Sequence, residues 1–243
     1  MKQHTAFAKR NALLVLLLTF FVAFCISAFV SSDYVTNRFT STTLDIELLE
    51  ENYDRLTFQQ RNSLIPNTEL PKDPKIMNTD KTDAFVFLRI TVPVGRVTDV
   101  LPDGTKTDRK RQELFLIKSL HNAVPDENGN CFNTDRSDNE YWIELEEYEQ
   151  GTDYSGDART YVFGYSVYLS SGELTETLFD SICLKNIIQY EANPDQLLNV
   201  KVQAYGIQAD YIDDIQKTDG SGKAVMTKQQ LSALYSYIEK PKD

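Results

Sequence analysis

The stretch Ala84-Phe85-Val86-Phe87-Leu88-Arg89-Ile90-Thr91-Val92 decides the fold class. Nine consecutive residues rich in aromatic and β-branched side chains, too dense for simple in-out alternation, read as a central strand covered on both faces. Turn chemistry brackets it: the cluster Asn78-Thr79-Asp80-Lys81-Thr82-Asp83 precedes it, and Pro102-Asp103-Gly104-Thr105 follows between candidate strands over 96–101 and 113–117. Proline presets φ and glycine tolerates a positive one, so the second cluster predicts a hairpin, with Lys106 to Arg111 as a basic, solvated arm.

Further strands follow in both directions. Leu44, Ile46 and Leu48 alternate with Asp45 and Glu47, the pattern of a half-buried strand. Tyr141 to Leu145, Thr160 to Leu169, Leu178 to Ile188 and Leu198 to Gln208 extend the series. In the last of these, Val200, Val202 and Ala204 share one face while Tyr205 and Ile207 occupy the other. Between Glu50 and Pro74 the apolar spacing is irregular and three prolines interrupt it, which predicts a long surface connection. Thr227-Lys228-Gln229-Gln230 has capping-box spacing, and Leu231, Leu234 and Ile238 fall on one helical face, so a helix is expected over about 227–239. Eight or nine strands without alternating helices give an all-β fold, an antiparallel sandwich with a short C-terminal helix, in a single domain over 43–243.

The amino terminus reads as an address. Lys9 and Arg10 precede an apolar run from Ala12 to Val30 broken by Thr19 and Ser27, the layout of an export signal helix. Ile26-Ser27-Ala28 places cleavage between Ala28 and Phe29, so residues 1–28 form the leader and the mature, secreted chain starts at Phe29. At about 1.5 Å per residue the run spans roughly 28 Å, so membrane attachment through an uncleaved leader is the competing reading. Acylation of Cys25 is disfavoured by the bulky Phe24 before it.

Composition narrows the partners. The 243 residues carry a formal charge of −11, and the leader holds three of the 25 basic residues and no acid, so the mature chain is more acidic still. That argues against nucleic acid and anionic lipid, which require basic surfaces. With Cys25 gone, Cys131 and Cys183 remain; in an oxidising compartment they form a disulfide or stay as two buried thiols.

No catalytic constellation emerges. The two histidines are His4, in the leader, and His121, so neither a zinc site nor a Ser-His-Asp triad has its usual partners. Gly220-Ser221-Gly222-Lys223 lacks the first glycine of a phosphate loop and reads as a flexible link. Asp126-Glu127-Asn128-Gly129-Asn130 is similar to a calcium loop but has its glycine fourth rather than sixth and Ser137 where Glu is required, so it reads as a solvated turn. Glu144, Glu146, Glu147 and Glu149 read as a solvated face. Tyr161, Phe163, Tyr165 and Tyr168 read as core aromatics, with a sugar-binding surface as the alternative. No catalytic, cofactor or metal residues are expected.

Five segments together carry a family resemblance: Phe39-Thr40-Ser41-Thr42-Thr43-Leu44-Asp45-Ile46, Pro71-Lys72-Asp73-Pro74-Lys75-Ile76-Met77-Asn78-Thr79, Asp83-Ala84-Phe85-Val86-Phe87-Leu88, Leu178-Phe179-Asp180-Ser181-Ile182 and Val202-Gln203-Ala204-Tyr205-Gly206-Ile207-Gln208. In order and spacing they resemble the TasA/camelysin (CalY) family of Gram-positive exported proteins. Thr42, and Asp80 in the Asn-Thr-Gly turn, stand where that family usually has glycine. The resemblance implies a jelly-roll-like sandwich, release by a signal peptidase of the SipW type, and head-to-tail homopolymers or co-assembly with related proteins in biofilm-matrix or cell-surface fibres. It further implies that residues 29–42 act as a donor strand, with Phe29, Val30, Tyr34, Val35 and Phe39 as its apolar residues. Camelysin-like proteins have also been classed as metallopeptidases, which leaves a secreted peptidase as an alternative beside a carbohydrate- or surface-binding module.

Overall fold

A computed structural model describes residues 44–62, 64–120, 124–134, 141–145, 157–188, 199–209, 217–218 and 222–239. The expected leader, its expected cleavage position Ala28–Phe29, the candidate donor residues and His121 lie outside the described residues. Thr43–Asp243 forms one compact unit and contains every element described below.

The architecture follows from one strand. β4 (Ala84–Val97) is 14 residues long and absorbs both the expected central strand and the start of the next. Its odd and even side chains face two different cores. Val86, Leu88, Ile90 and Val92 enter a large cluster with Phe115, Ile117, Phe163, Phe179 and Ile182. Phe85 and Phe87 enter a smaller one with Val162, Leu231 and Tyr235. Each large apolar side chain fully buried in this way contributes roughly 1.5–3 kcal/mol, so covering both faces stabilises β4 far more than a half-solvated strand.

Two layers provide that cover. β4 sits between β10 (Lys201–Gln208) and β8 (Ala158–Tyr165), with β7 (Trp142–Glu144) beyond β8 and β5 (Lys110–Glu113) paired to its C-terminal end, all antiparallel. Opposite this five-stranded sheet lies a three-stranded one, β2 (Glu69–Pro71), β9 (Ser181–Leu184) and β6 (Phe115–Lys118), with the ribbon of β1 (Ile46–Leu49) and β3 (Lys75–Asn78) beside it. The outer face of the five-stranded sheet is closed by α3 (Lys228–Glu239). The result is an antiparallel, sandwich-like all-β fold with a short C-terminal helix.

Local chemistry accounts for the joints. Between β5 and β6 the chain changes sheets at Leu114, and Gly95 makes room: a Cβ there would stand 3.0 Å from Leu114 Cδ2. At the β3–β4 turn, Asp80 does the work of a glycine without a positive φ, because its carboxylate accepts the Thr82 amide at 3.0 Å and the Thr82 hydroxyl at 3.1 Å. Those bonds hold the Asp80 carboxyl below the ordinary range. The capping box ahead of α3 forms as expected: Gln230 N donates to Thr227 Oγ1, and Thr227 N to Gln230 Oε1 at 2.9 Å. Lys223 is drawn from its glycine-rich link into an ion pair with Glu173, over the Tyr168 ring.

Three expectations are corrected. The segment 50–74 runs largely over the surface, as expected, but it carries short regular elements and two buried charged residues. It contains α1 (Glu51–Asp54), α2 (Phe58–Asn62) and β2, and Lys72 and Asp73 are buried because Lys72 pairs with Glu50 at 2.8 Å and Asp73 accepts the Asn52 amide at 2.9 Å. The arm 106–111 is partly strand, since Lys110 and Arg111 belong to β5. The strand expected over 178–188 is confined to four residues of β9.

The ribbon meets the large sheet at Gly206, where a Cβ would stand 2.5 Å from Leu44 Cδ2 and 3.3 Å from Ile46 Cγ2. Replacing Gly206 with Val is therefore expected to lower stability by about 1–3 kcal/mol, the usual cost of overpacking. Leu44→Ala in the same chain recovers part of the loss. Thermal or denaturant unfolding of the double-mutant cycle measures both.

Candidate assembly edge and its buried polar neighbour

A sandwich has edges, and their construction differs here. β2 is three residues long and ends in Pro71, which has no amide to offer. β7 is also three residues long, and Trp142 ties it down by donating its indole N–H to Glu176 O at 2.9 Å. Short strands, prolines and covering side chains are the usual ways of blunting an edge. β10 is neither short nor interrupted by proline, and no cover of its edge is seen among the described residues. It runs for eight residues, and Lys201, at its first position, is its one charged residue. Among the described residues its one strand partner is β4.

The two faces of β10 are those expected from sequence alternation. Val202 and Ala204 pack against the sandwich core, while Tyr205 and Ile207 pack against the helix-side cluster. Tyr205 also meets Tyr235 edge-on, with ring centroids 6.2 Å apart, and lies beneath the Arg89 guanidinium at 5.5 Å. From Val202 to Gln208 every residue is half-buried, whereas the corresponding stretch of β4 is almost wholly buried. Anchored side chains on a strand paired by β4 alone among the described residues are what a receiving edge requires.

The second feature was not legible as a site. Glu113, at the end of β5, is fully buried. Its carboxylate accepts the Tyr161 hydroxyl at 2.6 Å and Asn130 Nδ2 at 2.7 Å, and Arg159 Nε lies 3.7 Å away. The loop read as calcium-like is what closes this network. Asp126 Oδ1 accepts the amides of Asn128 and Asn130, both at 2.8 Å, Gly129 takes φ 86°, and Asn130 Oδ1 accepts the Ile117 amide at 2.9 Å. The carboxylate thus shapes its own loop and braces it against both sheets. Tyr161, expected as a core aromatic, is fully buried yet also polar-bonded.

Burial governs the protonation of this network. It pushes the Glu113 carboxyl above its ordinary value, against the opposing bonds from Tyr161 and Asn130 and the nearby Arg159 and Lys185 charges. Burial likewise lowers the Lys185 ammonium and raises the Tyr161 phenol. Glu113 and Tyr161 are fully buried, and their hydrogen bonds hold the 126–130 loop in place.

Cys131 and Cys183 are free, Cys183 buried and Cys131 half-buried. Cys183 lies on β9 opposite Leu116, whereas the Cys131 amide donates to Ile117 O from the other side of β6. An intervening strand sets such positions about 9–10 Å apart, beyond the roughly 7 Å limit for a disulfide. Burial raises both thiols above their ordinary value. Among the described residues no group of three or more His, Cys, Asp and Glu side chains is gathered as metal ligands. No described helix is long and apolar enough to cross a membrane.

Compared with known proteins, the chain matches no family model, no curated protein and no solved structure.

The raised Glu113 carboxyl fixes the sign of a pH effect. Above the ordinary carboxylate value the unfolded chain ionises this group first, so its contribution to stability falls as pH rises from there towards the folded value. Glu113→Gln is expected to flatten that slope relative to the parent chain in unfolding measured from pH 4 to 7. Glu113→Ala, which takes the shared acceptor from the Tyr161 hydroxyl and the Asn130 amide, is expected to cost about 2–3 kcal/mol.

Proposed function

We propose that this chain is a non-enzymatic, exported structural protein of the cell surface or biofilm matrix. In this reading residues 29–42 of one copy add as a strand to the open edge of β10 in the next. The supporting observation is β10 itself: eight residues long, without proline and with its one charge at the first position, and with β4 as its one strand partner among the described residues. Eight residues extend about 27 Å at 3.4 Å each, and the fourteen residues 29–42 are long enough to cover that length and leave a tether. Phe29, Val30, Tyr34, Val35 and Phe39 give the segment apolar side chains for the surfaces flanking the edge. Main-chain bonds would supply affinity and alternate side chains the register.

Export gives the segment its free end. Cleavage after Ala28 by a signal peptidase of the SipW type starts the mature chain at Phe29, so processing and assembly are one sequence of events. The fold expected from the TasA/camelysin resemblance is compatible with the sandwich-like layers, and the family's fibre-forming role is the function adopted here.

Electron microscopy of Phe29–Asp243 is expected to show filaments, and a version lacking residues 29–41 none. Proline at Gln203 or at Ala204 refines the test, because amides of successive residues in a strand point to opposite sides. At one of the two positions proline removes an outward amide, retaining the fold and abolishing filaments. At the other it breaks the bond to β4 and destabilises the domain. Filaments in both proline variants, or a Phe29–Asp243 chain that stays monomeric under all assembly conditions, would refute the reading.

A further inference from the structure

Five close contacts join the side chains of Glu113, Tyr161, Asn130 and Asp126. Tyr161 Oη lies 2.6 Å from Glu113 Oε1, 2.9 Å from Asn130 Nδ2 and 3.1 Å from Asp126 Oδ2. Asn130 Nδ2 lies 2.7 Å from Glu113 Oε2 and 3.4 Å from Asp126 Oδ2. The Ile117 amide fixes which way the Asn130 carboxamide points, because only its oxygen can accept that N–H, at 2.9 Å. Nδ2 therefore faces the two acids.

When both acids are ionised, the hydrogens of this cluster do not suffice. The hydrogens of Asn130 Nδ2 serve its two shorter contacts, Glu113 and the Tyr161 oxygen. The single hydrogen of the Tyr161 hydroxyl faces a carboxylate on either side. Directed at Glu113, it leaves Asp126 Oδ2 3.1 Å from the Tyr161 oxygen with no hydrogen between them; directed at Asp126, it leaves the same fault at 2.6 Å. One further hydrogen removes the fault. Carried on Glu113 Oε1, it is donated to Tyr161, whose own hydrogen then passes to Asp126 Oδ2. Glu113 is the acid suited to carry it. It is fully buried, and Arg159 Nε stands 3.7 Å off, beyond hydrogen-bond length, while the same guanidinium also reaches Glu127. Lys185 adds its charge to the site, and burial outweighs these opposing effects. Asp126 is half-buried, and its Oδ1 already accepts the Asn128 and Asn130 amides, so its negative charge has donors of its own.

We propose that Glu113 and Tyr161 form a pH-sensitive latch for the 126–130 loop: a proton on Glu113 turns the Tyr161 hydroxyl towards Asp126 and holds the loop, and loss of that proton turns the hydroxyl back to Glu113 and loosens it. The latch is closed below the folded Glu113 value and opens as pH rises through it, the order required of an acid whose ionisation burial opposes. On the strand side, the Ile117 amide reports the state of the loop, because Asn130 is its acceptor. On the loop side, the Asn128 and Asn130 amides report it, because Asp126 is theirs.

Amide hydrogen exchange in Thr43–Asp243, which holds both cores, tests the latch, with each rate divided by the intrinsic rate at the same pH. Between about pH 5 and about pH 8, protection of the Ile117, Asn128 and Asn130 amides is expected to fall about tenfold or more, while that of Leu88 and Ile90 in β4 stays constant. Glu113→Gln, which keeps a donor beside Tyr161 and cannot ionise, is expected to hold the loop protected across the range. Tyr161→Phe, which removes the hydroxyl, is expected to be as poorly protected at the lower pH as the parent is at the higher. Carbon-13 spectra of the side-chain carboxyls are expected to show Glu113 as the acid that titrates over this interval. Constant loop protection in the parent, an equal fall in Glu113→Gln, or titration of Asp126 in place of Glu113 would overturn the assignment.

Discussion

Two-sided burial of β4 is the constraint from which the rest follows. A strand with Phe85 and Phe87 on one face and Val86, Leu88 and Ile90 on the other cannot be satisfied by a single partner layer. The chain supplies a second sheet for one face and a helix for the other, and the C-terminal α3 is thereby structural rather than an appendage. Leu231 and Tyr235, both fully buried, are its contribution to the helix-side core. The same demand places β10 and β8 on either side of β4, which leaves β10 at one end of the sheet and β7 at the other.

The polar features are arranged around this apolar frame. Where β4 leaves the core, a sheet-to-sheet corner at Leu114 would expose the seam between layers, and the Glu113–Asn130–Tyr161 network seals it. A buried carboxylate is costly, and it is tolerated because two hydrogen-bond donors and the Arg159 charge converge on it and because it fixes the 126–130 loop. One turn of chain further out, the same strands present arginines to solvent. Core, seal and exposed cations therefore succeed one another along a single sheet face.

Much of this was legible in the residues themselves. Density of aromatic and β-branched side chains marked β4, alternation in 200–207 assigned both faces of β10 correctly, and Thr227 with Gln230 gave the helix its start. Sequence reasoning failed where a local pattern was overruled by distant partners. Lys72 and Asp73 look solvated until Glu50 and Asn52 are brought against them. Asp126 looks like a cation ligand or a turn former, and only the approach of Asn130 and Tyr161 to Glu113 shows that its loop is a brace. The cysteines, compatible with a bridge by count, are separated by β6, a fact of strand order that spacing cannot convey.

The proposed assembly turns on whether β10 receives the N-terminal segment, and amide hydrogen exchange reads this directly. A peptide spanning Phe29 to Thr42 is added to Thr43–Asp243 and exchange is followed residue by residue. The account predicts that alternate amides between Val202 and Ile207, fast in the unit alone, become protected while β4 and β8 stay unchanged. Unaltered exchange in β10 at saturating peptide, or protection confined to another edge, would contradict it.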